Sequence, residues 1–396
     1  MSSLINRRQF ITATAAGLAL AGHAAGPDPK LRVAVIGHTG RGDYGHGLDT
    51  MWLQLPETMI VAVADANTRG LEGALKKLKT GQGFTDYRKM LTETKPDLVA
   101  IGLRQVDQHR DMLLAAIEAG ARGIYIEKPF CRTPAEADEI IAAAARHQVK
   151  IAVAHRNRCH PVLPVLAKLI RQETIGRVLE IRTRGKEDER GGSLDLWVLG
   201  SHLLNLATVF AGEPVACSAT VLQDGRPVTR ADVRAGAEGV GPLAGNEVHA
   251  RFEMERGFPV FFDSVAKAGV ANAGFDVQII GTKGIIDLRA DRAPLAHLLA
   301  GHPFQPMPEP RVWVPITTAG IGQPEPVAGL DQQMSDHLIS GRDLIAAVRE
   351  GREPLCNARA GATTVEMISA VFESHRLGGQ RVTFPLQTRQ NPFSLL

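Results

Sequence analysis

The chain has few aromatic residues and few cysteines. Phe, Trp and Tyr make up 5% of 396 residues, too little for an aromatic-rich, lectin-like all-β surface. The four cysteines, Cys131, Cys159, Cys217 and Cys356, form no Cys-x-x-Cys pair, which excludes a zinc ribbon or a thioredoxin-like site. They read as buried free thiols, with a disulfide left open in an oxidising compartment. No His-x-x-x-His pair backed by carboxylates occurs among the thirteen histidines, so no metal site is expected. There is no basic run or aromatic–basic stripe, so no nucleic-acid partner is expected. No Gly-x-Ser-x-Gly elbow and no internal repeat is found, which removes the serine-hydrolase and solenoid readings. What remains is a nearly neutral chain, net charge +3, with 44% hydrophobic residues, long enough for two packed domains.

Only the N-terminus looks membrane-directed. Arg7-Arg8-Gln9-Phe10-Ile11 precedes a short run rich in Ala and Gly, and residues 1–25 carry two arginines and no acid. The run is too short and too weakly apolar for a spanning helix. It reads as a signal peptide of the twin-arginine type, which implies the Tat export machinery as a partner and a periplasmic address.

The first half reads as a dinucleotide-binding unit. Leu31–Ile36 is a β-branched run that ends at Gly37-His-Thr39-Gly40-Arg41-Gly42. A helix-like stretch, Leu48 to Leu55, follows. Strand, glycine loop and helix in this order let backbone N–H groups approach a pyrophosphate. Gly37 and Gly42 keep the outer glycines of G-x-G-x-x-G, while Thr39 replaces the middle one. Alone this is a weak signal, and a surface loop is the alternative. The next strand ends at Asp65, placed to accept from ribose hydroxyls and to repel a 2′-phosphate. That favours NAD, with NADP still possible; an isolated strand-end Asp is otherwise a turn former. Strand and helix patterns then alternate through Asp97–Ile101, His109 and its helix, Gly123–Ile126, Pro134–His147 and Lys150–Ala154, which implies a parallel sheet.

Glu127-Lys128-Pro129 after the fourth of these strands, with the glycine loop and Asp65, resembles the glucose–fructose oxidoreductase / inositol dehydrogenase (Gfo/Idh/MocA) family. Trp197-Val-Leu-Gly-Ser-His202 and the tail Ser374-His-Arg-Leu-Gly-Gly379 extend the resemblance over most of the chain. It implies an α/β protein: an N-terminal Rossmann doubly wound parallel sheet (30–155) and a C-terminal α+β domain with a large, mostly antiparallel open sheet (156–386). It implies hydride transfer between a carbohydrate hydroxyl and NAD, and a homo-oligomer. Lys128 would touch the hydroxyl, and His202 would act as acid/base. Such chemistry needs a base within hydrogen-bond reach and a cation near the developing alkoxide. Gly37, Thr39, Gly40, Arg41, Gly42, Asp65, His109, Glu127 and Lys128 would hold the cofactor.

The chain departs from the family pattern in places. Val198 stands where an aspartate commonly precedes the histidine by four residues; Asp195 is the candidate substitute. Asn205 also replaces a common aspartate. His155, Arg158, Lys186 and Asn205 are candidate substrate contacts, with a charged crossover or a solvated strand edge as the alternative for His155, Arg158 and Lys186. A folded-export signal on a dinucleotide fold suggests a cofactor that travels bound. The expectation is therefore an exported oxidoreductase acting on a sugar, sugar acid, cyclitol or glycoside. The alternatives are a redox-neutral glycosidase, lyase or epimerase through a transient keto-sugar, and a non-catalytic sensor.

Overall fold

The computed structural model describes residues 29–269, 274–305 and 309–396. The expected signal segment lies outside them.

Six strands build the first sheet: β1 (Leu31–Ile36), β2 (Thr58–Ala64), β3 (Gly83–Phe84), β4 (Leu98–Ile101), β5 (Gly123–Ile126) and β6 (Lys150–Val153). Their order is β3-β2-β1-β4-β5-β6, and every pairing is parallel. Strands β4 and β5 are buried at all positions, as a sheet covered on both faces requires. The helices between them are α1 (Thr68–Leu78), α2 (Tyr87–Thr94), α3 (His109–Glu118) and α4 (Pro134–His147). Local chemistry starts α4: the Thr133 hydroxyl accepts from Glu136 N at 3.2 Å, and Pro134 occupies the first turn. The chain winds outward from β1 to β3, then returns to β4 on the other side. A crevice beyond the strand C-termini opens at that reversal, between β1 and β4.

One expected element is different. No α-helix follows the glycine loop; turns run to a single 3₁₀ turn, Met51–Gln54. Gly37, Gly40, Gly42, Gly45 and Gly47 within eleven residues disfavour helix. Met51 and Trp52 bury that turn against the sheet.

After α5 (Leu163–Arg171) the second domain builds on an 11-stranded sheet. Its long strands are β7 (Val178–Arg184), β8 (Pro214–Gln223), β12 (Glu247–Met254), β13 (Val260–Val265), β14 (Asp276–Gly281), β15 (Gly284–Arg289), β16 (Ala296–Ala300) and β17 (Trp313–Thr317). The short β9 (Arg226–Pro227), β18 (Gly320–Ile321) and β19 (Val382–Thr383) complete it, while β10 (Arg234–Ala235) and β11 (Pro242–Leu243) form a separate two-stranded sheet. All its pairings are antiparallel except β7 with β13. Burial alternates along β12, so one face is covered and one open. The covered face carries α6 (Ser193–Ala211), a helix apolar and long enough to span a membrane but mostly buried here. Within the Pro/Gly-rich stretch 301–329, β17 and β18 extend the sheet.

The amphipathic stretch Leu330–Glu350 folds as two helices, α7 (Leu330–Ser335) and α8 (Leu338–Glu350), broken at His337 with φ +59°. Helix α8 packs on the first sheet through Leu338, Leu344 and Ile345. Helix α9 (Ala358–Arg376) packs along β8, where Ser374 Oγ accepts from Ala219 N at 2.9 Å. All four cysteines are buried and unpaired.

Candidate active site

A cavity of about 450 Å³ lies between the two domains, beyond the C-terminal ends of β5 and β6. Its wall includes Glu127, Lys128, Lys186, His202, His46 and His337. Each comes from a different kind of element. Glu127 and Lys128 leave β5 at the sheet's edge. Lys186 follows β7. His202 is the second residue of the regular part of α6, just after its π-turn. His46 belongs to the glycine loop, and His337 to the α7–α8 break.

Lys128 is 7% exposed, and its Nζ donates to the carbonyl oxygen of Val198 at 2.7 Å. That carbonyl belongs to a π-turn, Leu196–Gly200, inside α6. Burial lowers the ammonium's pKa, against the opposing pull of the neighbouring Glu127 carboxylate. Glu127 itself is pushed up to about 7, mainly by burial, and its Oε1 is buried without a hydrogen-bond partner. His202 is held well below the usual imidazole value by burial and then by the Lys128 charge. At neutral pH the ring is therefore unprotonated and able to accept a proton. Its Nδ1 is 3.3 Å from Nδ1 of His155, and its ring meets Phe275 edge-on at 6.4 Å. Lys186 pairs with Asp291 at 3.4 Å and stands 6.0 Å over the Phe275 ring. A neutral base and a cation thus share one water-accessible wall, the arrangement that removal of a hydroxyl proton needs.

At the other end of the crevice a cavity of about 170 Å³ is lined by Gly37, His38, Asp65 and Gln108, among others. Asp65 is 1% exposed. It accepts from Thr39 N at 3.1 Å, Thr39 Oγ1 at 2.6 Å, Tyr44 Oη at 2.8 Å and Asn67 N at 2.9 Å. The Tyr44 ring lies on Gly37, where a Cβ would come within 2.2 Å of it. Gly42, at φ +90°, brings the loop so close to Arg104 N that a Cβ would sit 2.5 Å away.

Two family models cover the chain. Residues 31–155 match the Gfo/Idh/MocA model described as "Oxidoreductase family, NAD-binding Rossmann fold", and residues 167–384 match "Oxidoreductase family, C-terminal alpha/beta domain". The chain belongs to the Gfo/Idh/MocA oxidoreductase family. It is an NAD-dependent oxidoreductase. It is 24% identical to D-apiose dehydrogenase of Paraburkholderia graminis over 341 residues, 83% of this chain and 84% of that protein. A solved levoglucosan dehydrogenase, in complex with NADH and L-sorbose, matches at TM-score 0.71 and 20% identity, over 90% of this chain and all of that one. The WlbA dehydrogenase of Bordetella pertussis, in complex with NADH and UDP-GlcNAcA, matches at TM-score 0.66 and 18% identity, over 91% and 99% of the two chains. At these identities the two structures speak to fold.

The Gfo/Idh/MocA residues present fit NAD at both ends of the crevice. Gly40, at φ +80°, has open space where a Cβ would be, and the orphaned Oε1 of Glu127 is a ready acceptor. Arg41 is tied to Asp107 across the loop. His109 is not available to a cofactor: its ring is fully buried, with Nδ1 2.8 Å from Pro129 O and Nε2 2.8 Å from Leu103 O. It staples the loop after β4 to the Glu-Lys-Pro segment.

Four further expectations change. Asp195 does not reach His202; its carboxylate accepts from Ser264 Oγ at 2.6 Å and Glu187 N at 3.0 Å. The helix phase turns it toward β13 rather than the cleft. Asn205 spends its amide on Ala360 O and Thr364 Oγ1, and Arg158 spends its guanidinium on Asn205 O, Thr208 Oγ1 and Leu355 O. Asn205 ties α6 to α9, and Arg158 ties α6 to the α8–α9 connection. His155 is 2% exposed and stands behind His202 rather than at the cleft wall. His46, His337 and Tyr44 were missed. His46 and Tyr44 lay within the glycine loop but match no part of its fingerprint.

Proposed function

We propose that the protein is an exported oxidoreductase that moves hydride between a hydroxyl-bearing carbon of a sugar, sugar acid, cyclitol or glycoside and NAD. The carrying observation is the convergence of Lys128 Nζ and the His202 ring on one cleft beside the dinucleotide-binding sheet. His202 takes the hydroxyl proton. Lys128, fixed by the Val198 carbonyl, steadies the negative charge that grows on that oxygen. Lys186, paired with Asp291 at 3.4 Å, and His46 offer hydrogen bonds to other hydroxyls. Nicotinamide supplies the hydride acceptor, and Gly37, Gly40, Gly42 and Asp65 belong to the surface that binds NAD. The names of the relatives, which act on or are seen with carbohydrates, support the substrate class.

The twin-arginine pattern at Arg7-Arg8 supports passage through the Tat machinery to the periplasm, and the open face of the large sheet suits self-association. A redox-neutral cycle on retained cofactor, ending in epimerisation or glycoside cleavage, is the second reading. It is favoured by Asp65 lying sealed under Thr39 and Tyr44, a closed loop that would slow exchange. The test is to purify the protein from its host's periplasm, denature it and identify the released nucleotide, then assay aldoses, uronic acids, cyclitols and glycosides with and without added NAD. Turnover that depends on added NAD supports net oxidation. Turnover without it supports the cycle. A cytoplasmic protein without nucleotide, inert toward the whole panel, would overturn both.

A further inference from the structure

Helix α6 lacks an acidic side chain that reaches His202. Position 198 is valine, and its contribution is a main-chain oxygen spent on Lys128 Nζ. Asp195 is engaged by Ser264 and Glu187. A general base in histidine still needs a partner at its second nitrogen, because that partner decides which nitrogen carries the lone pair. The partner present comes from the other domain.

His155 follows β6 and faces His202 with Nδ1 to Nδ1 at 3.3 Å. The rings meet at 88°, centroids 5.0 Å apart. Charged or titratable groups facing His202 include Lys128, His155, Arg156 and His337. Those facing His155 are Lys128 and Arg158. Burial first, and then these cations, hold both rings well below the usual imidazole range, so both are neutral, and a hydrogen bond between two Nδ1 atoms requires one ring to donate and the other to accept.

We propose that His155 is the positioning residue of the reaction: His202 donates its Nδ1–H to the bare Nδ1 of His155, which leaves the Nε2 lone pair of His202 for the substrate's hydroxyl proton. The opposite assignment would put the proton on Nε2 and leave His202 no lone pair toward the cleft. This rests on the reading of His202 as the base. In the forward step the O–H bond breaks, its proton forms a new bond to His202 Nε2, and the C–H electron pair leaves as hydride to the nicotinamide. The imidazolium so formed meets a neutral ring where a carboxylate would hold it. Such a proton is returned or passed on readily, which suits a cycle that gives it back.

The histidine tautomers of the uniformly ¹⁵N-labelled holoprotein, read from long-range ¹H–¹⁵N correlations and assigned with His155→Gln and His202→Gln, test this directly. Nδ1–H on His202 and Nε2–H on His155 are expected; Nε2–H on His202 would overturn the proposal. Kinetics give a second, independent measure, with the fastest substrate of the carbohydrate panel. His155→Ala should lower kcat about 10- to 100-fold at unchanged KM and unchanged nucleotide content. His155→Gln, whose amide oxygen can accept, should restore most of it. His155→Asp should move the acid limb of the kcat profile to higher pH, since an anion beside the imidazolium favours it. Wild-type kcat and pH profile in both the Ala and Asp variants, or a loss in the Ala variant that Gln does not rescue, would reduce His155 to a packing residue. Full turnover by His202→Ala would remove the base reading itself, and the pairing with it.

Discussion

The two ends of the crevice treat their functional carboxyl and amine groups in opposite ways. At the β2 end, Asp65 is covered: four hydrogen bonds reach it, three of them from the glycine loop. At the β5 end, Lys128 has one acceptor and Glu127 keeps an oxygen with none, and both line an open cleft. Both ends are nearly inaccessible by surface area, so burial does not separate them. Satisfaction does. A saturated group must give up protein partners before it binds anything, whereas an unsaturated one gains by binding. The β2 end is built to hold and the β5 end to react.

The largest test of this contrast is Lys128→Ala. Turnover should fall roughly 10³-fold, in the range of one lost electrostatic donor at a developing oxyanion, with nucleotide content unchanged. Steady-state rates beside mass spectrometry of the bound nucleotide check it; loss of nucleotide instead would place Lys128 at the holding end. Asp65→Ala should do the reverse. Affinity for NAD should drop roughly 10- to 100-fold by calorimetry, the cost of about 1.5–3 kcal/mol for hydrogen bonds to a charged group, while kcat at saturating NAD stays within a few-fold.

Asp195→Asn separates chemistry from scaffolding. The amide weakens the grip on Ser264 Oγ and Glu187 N and should cost about 1–3 kcal/mol in denaturant unfolding. The acid limb of the activity profile should not move; a shift there would mean that Asp195 does communicate with His202. The smallest effect is Tyr44→Phe. Removing one donor that competes for Asp65 should tighten NAD about fivefold, the equivalent of one hydrogen bond of about 1 kcal/mol. Weaker binding would show that the phenol assists the cofactor instead of guarding its site.

What could be read in the residues follows from how local each decision is. The apolar runs at Leu31–Ile36 and Gly123–Ile126, and the Thr133-Pro134-Ala-Glu136 start of α4, commit within a few residues, so strands, order and parallel class were legible. Glu127 and Lys128 were found because they follow a strand end where a ligand must bind, and His202 because its segment resembles the family's second domain. The failures are of longer range. Leu330–Glu350 is continuously amphipathic, and nothing in it announces that His337 takes a left-handed backbone; packing of α8 on the first sheet decides that. The short glycine-rich turn was overread as a helix because Leu48–Leu55 is apolar enough to be one. The partner of His202 lies 47 residues earlier, across the domain junction, where no periodicity can register it. Asn205, Arg158 and Asp195 were suspected because polar groups near a presumed site look functional, yet the bonds they make join elements of the fold.

The π-turn at Leu196–Gly200 has one more consequence. It holds one residue more than an α-turn would, so the stretch before it and the stretch after it are out of phase. Removing any single residue there would let the helix close its ordinary ladder, a locally favourable change. It would also swing His202 about 100° around the helix axis relative to Asp195 and Trp197. Lys128 would lose its main-chain acceptor in the same event. No substitution at position 198 can achieve this, because the oxygen that matters belongs to every amino acid. The lysine's anchor therefore resists point mutation and depends on residue count, so among relatives it would be lost or gained by insertion and deletion.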